Sequence, residues 1–208
     1  MAIETSTHGA AGAPAEEHET SLGLDNRKLA IWAFLGSECM FFGALISTFL
    51  LFHTHTNGGP TPHSIFNIPY TSVSTFVLLM SSLTMVLALA AIQHGDHRSF
   101  RIWILCTALL GMTFIGGQVY EFTGFFKDGL TIKTSAFGSA FFMLTGFHGA
   151  HVTIGILMLL TLFTLSKQGK LPTSESLKVE LVGLYWHFVD VVWIVIFTVV
   201  YLIPASKK

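Results

Sequence analysis

The sequence predicts an all-α integral membrane protein, a bundle of five transmembrane helices. Hydrophobic residues make up 51% of the 208 residues and charged residues only 11%, which is too apolar for a soluble domain of this length. Five apolar runs each reach the length of about 20 residues that crosses a hydrocarbon core about 30 Å thick. The runs lack the alternation of barrel strands, and a helix satisfies its own backbone hydrogen bonds in lipid.

The predicted spans form one domain, residues 29–204. They cover residues 29–52, 70–92, 102–125, 136–165 and 179–203. The first connection contains Gly58, Gly59 and Pro60, which break helices, and the other connections are short polar turns. Residues 1–28 contain almost no large apolar side chains, so they lack the core of a signal peptide and are predicted to be a disordered tail.

Lysine and arginine predict the orientation, because cytoplasmic connections retain them preferentially. With five spans, the tail and the second and fourth connections share one side of the membrane. That side carries seven Lys and Arg residues and the other side four. The seven are Arg27, Lys28, Arg98, Arg101, Lys167, Lys170 and Lys178. We therefore expect a cytoplasmic amino terminus and an external carboxyl terminus in a multi-pass protein.

The two cysteines and the net charge exclude some functions. Cys39 and Cys106 lie in two predicted spans, where thiols commonly act as small apolar packing groups, so no disulfide is predicted. Two isolated cysteines do not make a metal site. A formal net charge of −1 offers no basic surface for nucleic acid.

Glu38 is the most informative polar residue, because it lies inside the first apolar run. It is nine residues from the predicted start of that helix, or about 14 Å deep. A carboxyl group at that depth costs about 2.5–3.5 kcal/mol, so it usually faces a bundle interior and has a function. We expect a buried, proton-active acid that exchanges its proton with buried water. The alternative is an acid that only fixes helix packing.

His148 and His151 are three residues apart on the fourth predicted helix and are expected on roughly one face. Interhelical hydrogen bonding or lipid contact is the favoured interpretation. Haem ligation stays open, because His187 on the fifth helix can supply the second ligand.

His187 and Asp190 are also three apart, so the carboxylate can orient or pair with the imidazole. A structural pair and a proton relay are both possible interpretations. Glu121, beside Tyr120, is placed near the end of the third helix, with partial access to water. Trp186 is interpreted as a packing or membrane-interface aromatic.

Four segments then resemble, in order, the signature segments of subunit III of haem-copper terminal oxidases. They are residues 37–42 (SECMFF), 117–121 (GQVYE), 145–152 (TGFHGAHV) and 185–193 (YWHFVDVVW). The resemblance extends from about Leu29 to Tyr201 and is to the short, five-helix bacterial form.

The resemblance implies a subunit that is part of a redox-driven proton pump without being its catalyst. No haem, copper or other metal is expected in this chain; both belong to subunit I, with a further copper in subunit II of the cytochrome c oxidases. Contacts with subunit I, subunit II and membrane phospholipids are implied, in a bacterial cytoplasmic membrane. The expected roles are to stabilise subunit I, support proton uptake and protect against inactivation in turnover. Glu38 matches the family's carbodiimide-reactive carboxyl. His148, His151, His187, Asp190, Glu121, Tyr120 and Trp186 are expected to form a polar membrane network or to contact lipid.

The electron donor distinguishes two versions of this family. Phe147 before His148, and Gln118 before Glu121, are more similar to the cytochrome c oxidase version. A quinol oxidase subunit is the first alternative. A five-helix haem b membrane anchor that reacts with quinone is the second, and a small transporter with a proton-coupled Glu38 is the third.

Overall fold

The computed structural model describes residues 25–53, 55, 68–133 and 135–202, and within these residues the chain is helical without strands. This confirms the predicted all-α fold with five long apolar helices. The helices are α1 (Asn26–Phe52), α2 (Ile68–Gln93), α3 (His97–Lys127), α4 (Ala136–Lys167) and α5 (Ser176–Phe197). A 3₁₀ turn, Thr173–Glu175, precedes α5, and a π-helical turn, Thr198–Leu202, follows it. The predicted disordered tail falls almost wholly outside the described residues.

Four of the five helices begin a few residues before the apolar run that predicted them, and polar side chains cap the starts of α1 and α3. Asp96 is the clearest case: its carboxylate accepts hydrogen bonds from the backbone N–H groups of Arg98 and Ser99 at the start of α3. The Ser99 hydroxyl also donates to it, and this bond, ahead of the backbone bonds, holds the pKa of Asp96 below its usual range. Gly95, at φ 76°, makes the tight turn out of α2 that only glycine adopts easily.

Four of the helices form a closed ring. α2 packs against α3 and α5, and α4 packs against the same two helices on the opposite side. α1 lies outside the ring, against α4 and α5, and only Phe42 and Phe49 of this helix are fully buried. The two cysteines are free thiols on α1 and α3.

Trp186 fills the centre of the ring. It is 1% exposed, and its indole N–H donates to the Ser81 hydroxyl on α2 over 3.0 Å. Gly111 on α3 and Gly155 on α4 make room for the indole of Trp186. A Cβ atom would lie 2.6 Å from the indole at Gly111 and 2.8 Å from it at Gly155. The sequence-based interpretation of Trp186 as a packing aromatic therefore agrees with its position, and the membrane-interface alternative does not.

Substituting Gly111 with alanine is expected to destabilise the bundle, because the new methyl group collides with the rigid Trp186 ring. Such overpacking costs about 1–3 kcal/mol. Gly116→Ala, on the same helix, is the matched control, since a Cβ there meets nothing within 4 Å. It should be neutral or slightly stabilising, through the higher helix propensity of alanine. Thermal unfolding of both variants in detergent measures the difference, and equal unfolding temperatures would refute the packing role of Gly111.

Candidate functional site

Glu38 lies at the seam between α1 and α4, where its Oε2 atom is 3.2 Å from Nε2 of His151. The side chains of Glu38 and His151 are only 17% and 14% exposed. The contact has the distance of an ion pair but not the geometry of a hydrogen bond. The carboxyl group that the sequence placed alone in the membrane therefore has a titratable partner on another helix.

A backbone hydrogen bond determines the tautomer of His151. Nδ1 of His151 lies 2.8 Å from the backbone oxygen of Phe147, which only accepts hydrogen bonds, so Nδ1 carries a proton. One further proton can then reside either on the Glu38 carboxyl group or on Nε2 of His151. In the first case a neutral acid lies beside a neutral imidazole, and in the second a carboxylate lies beside an imidazolium. The pair can thus keep one proton inside the membrane without a net charge.

Aromatic rings and one cavity surround this pair. The centroids of the Phe42 and His151 rings are 5.0 Å apart, and those of Phe41 and Phe147 are 5.2 Å apart. On the other side of His151 is a largely apolar cavity of about 270 Å³ between α1, α4 and α5. It is lined by Ile31, Phe34, His151, Ile154, Met158, Leu181, Val182 and Tyr185. His151 therefore belongs to the pair and also lines the cavity.

His148 points to different neighbours from His151, which corrects the expectation of a shared face. It is 0% exposed, and its Nε2 donates to the backbone oxygen of Val189 on α5 over 3.2 Å. Its ring lies 4.8 Å from that of Trp193 and meets Phe114 edge-on at 5.9 Å. His148 is a core residue of the α3–α4–α5 contact, while His151 faces α1.

His187 and Asp190 are joined through a third residue rather than directly. Ser82, on α2, donates its hydroxyl hydrogen to Oδ2 of Asp190, and its oxygen lies 2.8 Å from Nδ1 of His187. With the hydroxyl proton committed to the carboxylate, the Nδ1–H of His187 donates to the Ser82 oxygen. Asp190 is only 3% exposed. The group links α2 to α5 and lies apart from the Glu38 pair.

Glu121 connects three parts of the bundle. The Thr71 hydroxyl on α2 donates to Oε1 over 2.7 Å, and the Tyr201 hydroxyl in the π-helical turn donates to Oε2 over 3.3 Å. Tyr120, by contrast, is 72% exposed and lies beside Tyr70, with ring centroids 5.8 Å apart. Tyr120 and Glu121 therefore have different neighbours, although they are adjacent in sequence.

Several partners in these groups were missed by sequence reasoning. Ser82 and Thr71 carry no motif, since hydroxyl residues in a membrane helix commonly bond to their own backbone. Tyr185 donates to the backbone oxygen of His151 over 3.1 Å, a bond that no local sequence pattern indicates. Lys28 and Glu180 pair at 2.8 Å between the first turns of α1 and α5. Their opposite charges at two predicted helix starts were the available signal.

The histidines do not fit the haem ligation that the sequence left open. Nε2 of His148 is held by a backbone carbonyl in a fully enclosed site, and Nδ1 of His187 is held by Ser82. A bis-histidine haem needs two imidazoles that face each other across a gap. Over the described part of the chain, no three His, Cys, Asp or Glu side chains are placed to hold a metal ion.

These features define a class: a multi-pass membrane protein whose ionisable side chains have polar partners on neighbouring helices. Comparison with known proteins places it further. Residues 13–204 match the family described as cytochrome c oxidase subunit III. The chain belongs to that family, and it is subunit III of a haem-copper oxidase, the non-catalytic subunit of a redox-driven proton pump.

Its relatives include proteins named for two electron donors. The chain is 42% identical to cytochrome c oxidase subunit 3 of Bacillus sp. (strain PS3), over 90% of this chain and 91% of the relative. It is 41% identical to quinol oxidase subunit 3 of Bacillus spizizenii, over 96% and 97%. It is 38% identical to cytochrome bo(3) ubiquinol oxidase subunit 3 of Pseudomonas aeruginosa, over 86% of each chain.

A double-mutant cycle is expected to show that Glu38 and His151 are energetically coupled. Glu38→Gln and His151→Gln each leave a poorly solvated group without its partner, so the double substitution should cost less than the sum of the two. The coupling expected for buried residues in contact is about 0.5–3 kcal/mol, measured from unfolding in mixed micelles.

The control cycle uses Lys28→Gln and Glu180→Gln. That ion pair also joins α1 to a neighbouring helix, but its side chains are 38% and 34% exposed. Exposed pairs contribute about 0–1 kcal/mol. Additive effects at Glu38 and His151 would show that their proximity carries no energy.

Proposed function

We propose that this chain stabilises subunit I of its oxidase, sustains proton uptake and protects the complex from inactivation while dioxygen is reduced to water. The observation that supports this role is the Glu38–His151 pair, 3.2 Å apart inside the membrane. A contact that only packs two helices together could use two apolar side chains at lower cost, because placing an acid inside the membrane is expensive. A carboxyl group in contact with an imidazole is suited to exchange protons with a neighbouring subunit, because both side chains can bind and release a proton.

The position of the pair also supports an accessory role. It lies on α1, the helix outside the closed ring, which has most of its surface free for lipid or for another subunit. Subunit I is the proposed direct partner, with subunit II in the same complex and phospholipid filling the remaining surface. Haem and copper are assigned to those partner subunits.

The proposed location is a bacterial cytoplasmic membrane, with the amino terminus in the cytoplasm. The positive-inside rule supports this orientation. The Lys28–Glu180 ion pair then lies at the cytoplasmic end of the bundle, and α3 ends on the outer side, at Lys127.

Loss of the Glu38 pair is expected to shorten the working life of the oxidase rather than stop its chemistry. Glu38→Gln should leave assembly, haem content and the initial rate of oxygen consumption close to those of the wild type, and should shorten the half-life during turnover several-fold. Proton release measured in vesicles should fall together with that lifetime. The physical reason is that glutamine keeps the shape of the side chain but cannot exchange a proton.

Glu180→Gln is the control for this experiment. It removes an acid from the same chain at a partly exposed position, and its turnover half-life should equal that of the wild type. Removal of the whole chain should allow oxygen reduction at first, followed by inactivation and slower proton uptake. A complex without this chain that pumps and survives as well as the intact one would refute the supporting role.

Cytochrome c is the proposed electron donor of the complex. Phe147 and Gln118 carry the resemblance to the cytochrome c version; Gln118 is buried, and its side-chain amide donates to the backbone oxygen of Thr145 over 2.8 Å. Neither residue is part of a donor site. Their resemblance therefore indicates which branch of the family the chain is similar to, and an assay of the complex is needed for the donor itself.

The purified complex is therefore expected to oxidise reduced cytochrome c and to contain a subunit II with a copper-binding soluble domain. Oxygen consumption with reduced cytochrome c, compared with the same assay using a quinol, measures the preference. Faster turnover with the quinol, together with a subunit II that lacks copper, would assign the chain to the quinol oxidases instead.

A further inference from the structure

His187 lies at the outer surface of the bundle, at mid-membrane depth. It is eleven residues after the start of α5, which is about 16 Å along the helix, and the hydrocarbon core is about 30 Å thick. The side chain is partly exposed, and Val191, Ile194 and Val195, which follow it at helical spacing, are exposed. One face of α5 is therefore open and mostly apolar, with an imidazole set in it.

The two nitrogen atoms of this ring have different surroundings. Nδ1 lies 2.8 Å from the Ser82 oxygen, and the Ser82 hydrogen is donated to Asp190, so Nδ1 carries a proton. Nε2 of a neutral ring is then an acceptor, and a charged ring is costly at this depth. Within the described part of the chain, His187 forms no second hydrogen bond, and its Nε2 atom is not enclosed by protein.

The ring is held in a defined orientation. Asp190 is buried, and Ser82 connects it to Nδ1 from the opposite helix, α2. These two partners fix both the direction of the imidazole and its tautomer, as the outer hydrogen bonds of a histidine do in a preorganised site. Acyl chains at mid-membrane depth neither donate nor accept hydrogen bonds. The outward acceptor at Nε2 thus fits a polar group of another molecule.

Three kinds of molecule can cover this face, and two of them do not suit Nε2. Phospholipid head groups lie at the membrane surfaces, about 15 Å from this depth. A second copy of the chain, related by a two-fold axis, would bring the same atom, and two acceptors do not bond to each other. A transmembrane helix of a different protein, with a hydroxyl or N–H group, satisfies the acceptor.

The position of the face indicates which protein this is. α5 packs against both α1 and α2, so its open face lies between those two helices. It is therefore continuous with the free surface of α1, the helix whose position supports a contact with subunit I.

We propose that Nε2 of His187 accepts a hydrogen bond from a donor side chain on a transmembrane helix of subunit I, and that Ser82 and Asp190 hold the ring for this contact. The inference rests on the proposed partnership with subunit I and adds the atom and the chemistry of the contact. It does not depend on proton exchange at Glu38.

Two substitutions separate the two nitrogen atoms. His187→Asn places its amide near the position of Nδ1, so it keeps the bond to Ser82 and loses the outward acceptor. His187→Gln reaches the position of Nε2 and keeps the outward acceptor. The whole oxidase complex is titrated with detergent, and size-exclusion chromatography measures the fraction of this chain that stays with subunit I.

His187→Asn is expected to raise the dissociation of the chain from subunit I about three- to tenfold, the effect of one interhelical hydrogen bond. His187→Gln should stay close to the wild type. A residue that served only the bundle would show the reverse order, because glutamine is the variant that gives up Ser82. His94→Asn, at the exposed end of α2, is the matched control and should dissociate as the wild type does.

Cross-linking identifies the partner. A benzophenone amino acid at Val191, one turn after His187, should cross-link to subunit I when the complex is irradiated. Met112 is the control position: it is also exposed and fifteen residues after the start of its helix, but α3 lies across the ring from α5. The same amino acid at Met112 should not reach subunit I.

Equal dissociation of His187→Asn and the wild type would overturn the proposal. Cross-linking of Val191 to a second copy of this chain would assign the face to self-association and also overturn it. If subunit I stays bound but Val191 does not reach it, only the His187 contact is wrong. If the wild-type chain does not purify with subunit I, the proposed function fails and this contact fails with it.

Discussion

The architecture depends on one constraint: lipid offers no hydrogen-bond partners, so polar side chains in the five helices find partners on their own backbone or on neighbouring helices. Glu38 on α1 meets His151 on α4, and Ser82 on α2 meets Asp190 on α5. The indole of Trp193 on α5 likewise donates to Thr75 on α2 over 3.0 Å. Because hydrocarbon surfaces do not distinguish one apolar helix from another, these specific polar contacts select which helices pack together and in what rotation.

The same constraint separates two kinds of polar group. In the closed ring, His148 and Trp186 are fully enclosed and serve packing, with single hydrogen bonds to a backbone oxygen and to a hydroxyl. At the seam with α1, Glu38 and His151 are slightly exposed, and His151 borders a cavity. A proton that exchanges with a partner subunit needs such an edge position. The closed ring serves packing, and the proposed proton exchange belongs to the peripheral helix.

Sequence reasoning singled out polar residues inside the spans but not the partners that the structure gives them. Glu38 was recognised because a carboxyl group deep in an apolar run is costly, which is a property of the residue and its depth alone. Its partner was not recognised, because His151 follows Glu38 by more than a hundred residues and no local pattern relates them. For His148 and His151, the three-residue spacing predicted a common face. The rings nevertheless turn to different helices, since a separation of about 60° around a crowded helix spans two interfaces.

The sequence by itself determined the class of protein, the five helices and the family, because hydrophobic length, helix-breaking residues and four ordered motifs are all local properties. Only the tertiary structure decided that α1 lies outside the ring, that Ser82 stands between His187 and Asp190, and that Tyr120 faces away from the hydroxyl partners of Glu121. Those outcomes depend on how each helix is rotated about its axis. In a membrane that rotation is decided by close packing and by pairs of polar atoms distant in sequence, which no single segment encodes.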